Sequence, residues 1–163
     1  HLAERLAFRF INFTFRSLAE EQNISFNEAL KLANEDSWWD LEVDRRQVDL
    51  ARQEGSCVLG SRLAIWMLEE ADLKIWLNAS EQVRAQRIHR REGGNIQEIA
   101  DFTRIRDAKD TARYKKLYGI DNHRHDFADL IIETDNLDVQ EIVQLICDKI
   151  RRDFPDLPCN CAP

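Results

Sequence analysis

The amino-acid sequence predicts an α/β fold: a mostly parallel, doubly wound sheet covered by helices on both faces. Short apolar runs alternate along the chain with longer stretches of helical periodicity, the order that parallel strands and their crossover helices require. The three clearest runs, at 57–60, 73–77 and 129–134, show little alternation of polar and apolar residues, as strands buried on both faces do. With 163 residues, 44% of them hydrophobic, the chain can build one domain around a sizeable core. It contains no internal repeat and no low-complexity tract.

Taken in order, Leu2, Leu6 and Phe10 at helical spacing, with Glu4 and Arg5 opposite, predict a helix over 1–9 that opens without a cap, as if entered part-way along. Residues 10–15 (FINFTF) are aromatic and β-branched, which suits a short strand or an extended link. A helix follows over 16–22, and Ser25 then starts another, with Glu28 completing a capping box. The pattern breaks at 34–38. Leu41, Asp44, Arg45, Val48 and Arg52 lie along a further helix that stops at Gly55. Arg62 comes directly after the apolar run 57–60, at the strand edge where open α/β sheets bind ligands; a surface ion pair is the plainer alternative. The run 73–77 leads through Ser80, an N-cap, into a helix over 81–91. Gly93 and Gly94 end it, as a hinge or as an ordinary turn. The next helix runs from about Ile96 to Tyr118 and closes at Gly119. After the strand at 129–134, residues 137–150 form an amphipathic helix with Ile142, Val143, Leu145, Ile146 and Ile150 on one side. Residues 151–163, with three prolines, read as a tail.

Charge is unevenly spread. Residues 84–116 hold ten of the 23 Lys and Arg residues against five acids, a basic island on a chain of net charge −7. Such an island points to an anionic ligand. Arg106, Asp110 and Arg113 fall at i, i+4 and i+7 and so share one helix face. Two guanidinium forks beside a carboxylate can hold a phosphate while the acid accepts from a donor on the same ligand. The same spacing also fits a solvated face stabilised by weak surface pairs.

The net charge argues against a nucleic-acid binder, which needs an extended basic face. No apolar run is long enough for a membrane span and no signal peptide opens the chain, so a cytoplasmic protein is expected. Cys57 and Cys147 sit within apolar patterns and read as core residues. Cys159 and Cys161 have no companion pair at zinc-site spacing, and no metal ligand is assigned.

Six segments in this order, FRSLAEE, Asp44-Arg45-Arg46-Gln47, SRLAIWML, ADLKIWLNAS, RIHRREG and TRIRDAKDTARYKKLYGID, resemble the archaeal-type cytidylate kinases, nucleoside monophosphate kinases of the P-loop NTPase class. The resemblance spans nearly all of 1–150 and implies a single domain of that type, with acceptor-binding helices over 13–54 and a helical lid with a base-reading helix over 84–118. It implies transfer of the γ-phosphoryl group of ATP to CMP or dCMP with Mg2+, by a monomer whose partners are small nucleotides. Carried over by position, Arg16 and Arg62 would grip the acceptor phosphate, and Arg106, Asp110 and Arg113 would read the cytosine nucleotide. Arg87, Arg90, Arg91 and Arg104 would form or flank the lid. Of these cations, Arg87, Arg91, Arg104 and Arg106 would supply the positive charge that phosphoryl transfer needs more than it needs a nucleophile.

The chain departs from the family pattern in three places. No G-x-x-x-x-G-K-[ST] loop occurs in the sequence; the family places it just before the residue that is His1 here, and the expectation is a segment of a longer kinase whose sheet would otherwise have a gap at its middle. The chain is two residues short between Asn12 and Phe13, at a turn that helps place the acceptor base. Gly60-Ser61-Arg62 stands where family members often read Glu-Gly-Arg. Competing expectations are an adenylate or shikimate type of kinase, and an inactive nucleotide-binding module.

Overall fold

Two pairs of parallel strands anchor the molecule, described here by a computed structural model over residues 1–53 and 55–157, with Asn34 described by its backbone alone. Strand β1 (Arg9–Ile11) pairs with β2 (Cys57–Leu59), Phe10 opposite Val58. Strand β3 (Ile75–Asn78) pairs with β4 (Leu130–Glu133), Trp76 opposite Ile131. Parallel pairing is as expected, but one continuous sheet is not what forms: the strands make two separate two-stranded sheets. Continuity requires a hydrogen-bonded neighbour across every adjacent pair, and among the described residues each strand has one partner. Nor are these strands covered on both faces, since Leu77 and Ile131 stay 52% and 42% exposed. An apolar run records hydrophobicity and not the layer that covers it.

The described residues fall into two compact units, residues 1–71 with those from Val143 onward, and residues 72–142. The first contains α1 (Leu2–Leu6), β1, α2 (Phe15–Glu21), α3 (Phe26–Glu35), α4 (Trp38–Ala51), β2, α5 (Ala64–Met67) and most of α8 (Val139–Asp153). Helix α1 is shorter than the expected 1–9 because Ala7 turns left-handed at φ 56°, freeing Phe10 for β1. A capping box starts α2 at Thr14: the Thr14 amide donates to the Ser17 hydroxyl at 3.2 Å, and the Ser17 amide donates to the Thr14 hydroxyl at 3.4 Å. Ser25 caps α3 as expected, accepting from the Glu28 amide at 3.2 Å. Leu18, Ala19, Ala29, Trp39 and Val43 bury one another where α2, α3 and α4 meet. Helix α5 was not foreseen, being a single turn without a side-chain cap. Cys147 is fully buried, which raises its thiol pKa; Cys57 is partly buried. Cys159 and Cys161 lie outside the described residues.

The second unit contains β3, α6 (Glu81–Glu92), α7 (Ile96–Tyr118) and β4. Ser80 caps α6 by accepting from the Val83 amide at 3.3 Å. Asn95 caps α7 by accepting from the Gln97 and Glu98 amides. Helix α7 closes at the expected Gly119, left-handed at φ 69°. Between α6 and α7, Gly93 and Gly94 take φ of 74° and 93°, conformations that a β-carbon would strain. Helix α8 begins two residues later than expected and continues through residues 151–153 of the presumed tail. Asp138 and Glu141 set that start by exchanging amide-to-carboxylate bonds of 2.8 and 2.7 Å.

Candidate functional site

The expected site residues fall in both units, Arg16 and Arg62 in the first and the others in the second. In the first, α2 presents Arg16 from its opening turn, the guanidinium 4.8 Å from the centre of the Phe26 ring, so one face of the cation rests on an aromatic. A shallow, open depression of about 300 Å³ runs along β1 and the turn after it, lined by Arg9, Phe10, Ile11, Asn12, Phe13, Ser17 and Leu50. Ser17 on its wall is the chain neighbour of Arg16. The turn below is fixed by Gln47, which is 9% exposed and whose amide donates to the Phe13 carbonyl at 2.7 Å. Arg46 stands over the Phe13 ring at 5.8 Å and pairs with Glu21 at 2.5 Å. Gln47 and Arg46 thus buttress the turn at Phe13. Neighbouring Glu42 is bonded by Arg45 and attracted by Arg46, which together hold its carboxyl below the ordinary range. Arg62 sits exposed between β2 and α5, past the C-terminal end of its strand as expected.

In the second unit the helical period of α7 brings Arg106, Asp110 and Arg113 together. Asp110 is 7% exposed, and a carboxylate that deep requires a partner. Arg113 donates to it at 2.9 Å, while Arg106 approaches at 3.9 Å with 58% of its side chain exposed. One guanidinium therefore holds the carboxylate and the other is held loosely enough to turn toward a ligand. Arg113 also lies 5.4 Å from the centre of the Tyr114 ring.

The four lid candidates differ in their surroundings. Arg91 pairs with Glu92 at 2.6 Å and Arg104 with Asp101 at 2.9 Å, both on exposed surface, and Arg90 is exposed on the last turn of α6. Arg87 is set apart from them. Its fork donates to the Thr134 hydroxyl at 3.0 Å and to the Thr134 carbonyl at 2.5 Å.

Sequence reading missed Arg84, which pairs with Asp107 of α7 at 2.5 Å, and it missed Thr134 and Asp135 just beyond β4. The Asp135 carboxylate accepts from the Ser80 amide at 2.8 Å, and bonds from the Ser80 amide and hydroxyl hold its pKa below the ordinary carboxylate value. The available signal was the placement of Arg84 and Arg87 three residues apart, which puts both on one side of α6. Among the described residues no helix is long and apolar enough to cross a membrane.

A family model described as the cytidylate kinase-like family matches residues 1–136. The chain is 39% identical over 153 residues to cytidylate kinase 2 of Borrelia garinii subsp. bavariensis, covering 91% of this chain and 85% of that protein. Its identity to cytidylate kinase 2 of Borreliella burgdorferi is 40% over 153 residues, with coverage of 91% and 84%. The cytidylate kinase of Pyrococcus horikoshii is 44% identical over 120 residues, 74% of this chain and 62% of that protein.

Proposed function

The chain belongs to the cytidylate kinase-like family, and from that membership we propose that it transfers the γ-phosphoryl group of ATP to CMP or dCMP, giving CDP or dCDP. The observation that carries the substrate reading is the buried carboxylate of Asp110 set between Arg106 and Arg113. A carboxylate that accepts hydrogen bonds suits the exocyclic N4 amine of cytosine. Adenine carries an exocyclic amine too, but the family sets cytosine as the expectation. Two guanidiniums beside the carboxylate supply charge for the acceptor phosphate.

Arg16 and Arg62 are acceptor-phosphate ligands in this reading, with Phe26 holding the Arg16 guanidinium from one side. Arg90, Arg91 and Arg104 close over the transferring group as the lid, turning on Gly93 and Gly94. The surface ion pairs of Arg91 and Arg104 contribute little, so their release toward a phosphate costs little. The acceptor is already an anion at neutral pH, and catalysis consists of positioning and charge stabilisation rather than proton removal. Magnesium belongs to the reading as the ion that ATP brings, since it keeps several waters and takes its ligands largely from phosphates. Among the described residues no cluster of three His, Cys, Asp or Glu side chains forms a cage for it, and no step is assigned to a protein-held metal. We place the reaction in the cytoplasm, carried out by a monomer on small nucleotides.

The test measures ATP-dependent phosphorylation of CMP and AMP, together with CMP binding by calorimetry, in the wild-type protein and in Arg113→Ala. CMP is the expected acceptor. Arg113→Ala is expected to weaken CMP binding about tenfold or more, the scale of a lost charged hydrogen bond with a buried carboxylate left behind. Preference for AMP would overturn the substrate assignment, and unchanged CMP affinity in Arg113→Ala would overturn the site.

A further inference from the structure

The fork of Arg87 reaches from an exposed position on α6 to a buried residue, whereas Arg91 and Arg104 pair with carboxylates on exposed surface. Thr134, its partner, is 2% exposed. The Thr134 hydroxyl donates to the Asn78 carbonyl at 2.7 Å, and the Thr134 amide donates to the same oxygen at 2.9 Å. One residue further, the Asp135 carboxylate accepts from the amide of Ser80, the residue that caps α6. The chain after β3 and the chain after β4 are thereby tied together, and Arg87 locks the tie from α6. Its bond to the Thr134 carbonyl shares that oxygen with the Leu137 amide at 3.2 Å, so the fork also closes the turn over 134–137. Arg84, one turn earlier on α6, makes the complementary link to Asp107 on α7, three residues from Asp110. Helix α6 is therefore fastened at one arginine to the strand ends and at another to the helix carrying the Arg106, Asp110 and Arg113 group.

We propose that Arg87 is a positioning residue for the phosphotransfer reaction: through Thr134 it sets the turn at the C-terminal ends of β3 and β4, and it does not itself contact a transferring phosphate. This rests on the phosphotransfer reading above. The chemistry of the contact distinguishes the two roles. A planar fork matches a hydroxyl and a carbonyl of one residue simultaneously, and a lysine, a point charge on a flexible stem, cannot reproduce that geometry. A cation that neutralises a phosphate is by contrast substantially replaced by lysine.

The experiment compares Arg87→Ala, Arg87→Lys, Thr134→Val and the Arg87→Ala/Thr134→Val double variant in steady-state phosphorylation of CMP by ATP. For a positioning residue, Arg87→Lys is impaired nearly as much as Arg87→Ala. The loss appears chiefly as a KM increase of about tenfold with kcat held within about threefold. Thr134→Val is impaired in the same parameter, and the double variant is no worse than Arg87→Ala, as expected when two residues act through one contact. A kcat loss of about a hundredfold in Arg87→Ala that lysine restores, with independent effects of the two substitutions, would overturn the proposal and return Arg87 to the phosphate. Amide exchange gives a reading that requires no turnover: the Leu137 amide exchanges faster in Arg87→Ala while α7 amides do not, and unchanged Leu137 exchange also overturns it. Failure of the wild-type protein to phosphorylate CMP would count against the substrate reading alone, and the exchange arm would still decide the role of Arg87.

Discussion

Helices α2, α3 and α4 and the basic pair α6 and α7 are held by different forces. In the first group Leu18, Ala19, Ala29, Trp39 and Val43 form a shared apolar core, with Phe13, Phe15 and Ile24 packed against it. In the second the buried residues are few and partly polar: Ala85, Thr103, Asp110 and Tyr114. Phe102 and Ile105 on α7 are 68% and 53% exposed. What fastens α6 is a set of arginine contacts, Arg84 to Asp107 and Arg87 to Thr134. Apolar burial is non-directional and can be lost only by exposing area to water, whereas ion pairs at partly exposed positions contribute modestly and exchange partners readily. Regions that must move during a reaction cycle come from the weakly held end of this range. The contrast is that of an apolar platform and a pair of helices held largely by polar contacts.

The largest effect should come from cutting the platform. Trp39 is 7% exposed, and Trp39→Ala is expected to cost about 3–5 kcal/mol of unfolding free energy, from lost transfer energy and the cavity left behind, measured by urea denaturation. A cost below about 1 kcal/mol would break the comparison, because the apolar core would then not be what holds these helices. Next, Arg84→Ala should cost about 0.5–1 kcal/mol, since both Arg84 and Asp107 are about one-third exposed (34% and 31%) and solvent screens the pair. Native-state amide exchange should speed up in α6 and remain unchanged in α2 to α4; acceleration of both would show that the two groups do not open separately.

The smallest effect is that of pH at Asp135. Its carboxyl pKa is lowered by the Ser80 bonds, so the folded state binds this proton less readily than the unfolded state does. The contribution is fully present above the ordinary carboxylate pKa near 4 and is lost as pH falls through the lower folded value. Asp135→Asn should flatten the acid limb of the stability curve slightly, read by thermal melts between pH 5 and pH 2. An unchanged limb would mean the carboxylate charge is not part of the cap.

Much of this was readable in residue order where the causes are local. Ser25, Ser80 and Gly119 marked helix ends because a cap involves groups three or four residues apart. Arg106, Asp110 and Arg113 could be placed together because the helical period alone aligns them. The end of α1 and the extent of β1 were misjudged, since Ala7 takes a left-handed conformation that its side chain does not announce. The contacts from Gln47 to Phe13 and from Arg87 to Thr134 span 34 and 47 residues, and nothing in the local pattern of either partner specifies the other.

By itself the sequence determined the order of elements, the sign and position of the charge, the alignment of Arg106, Asp110 and Arg113 on one face of α7 and the family to which the chain belongs. Periodicity, capping and composition act over a few residues, so they survive in a one-dimensional record. Only the tertiary structure decided that the strands form two separate pairs, that Asp110 is buried, and that one of the expected lid arginines is spent on the turn beyond β4. Each of those depends on which distant backbone supplies a hydrogen-bond partner or excludes water, and packing settles that choice after the local elements have formed.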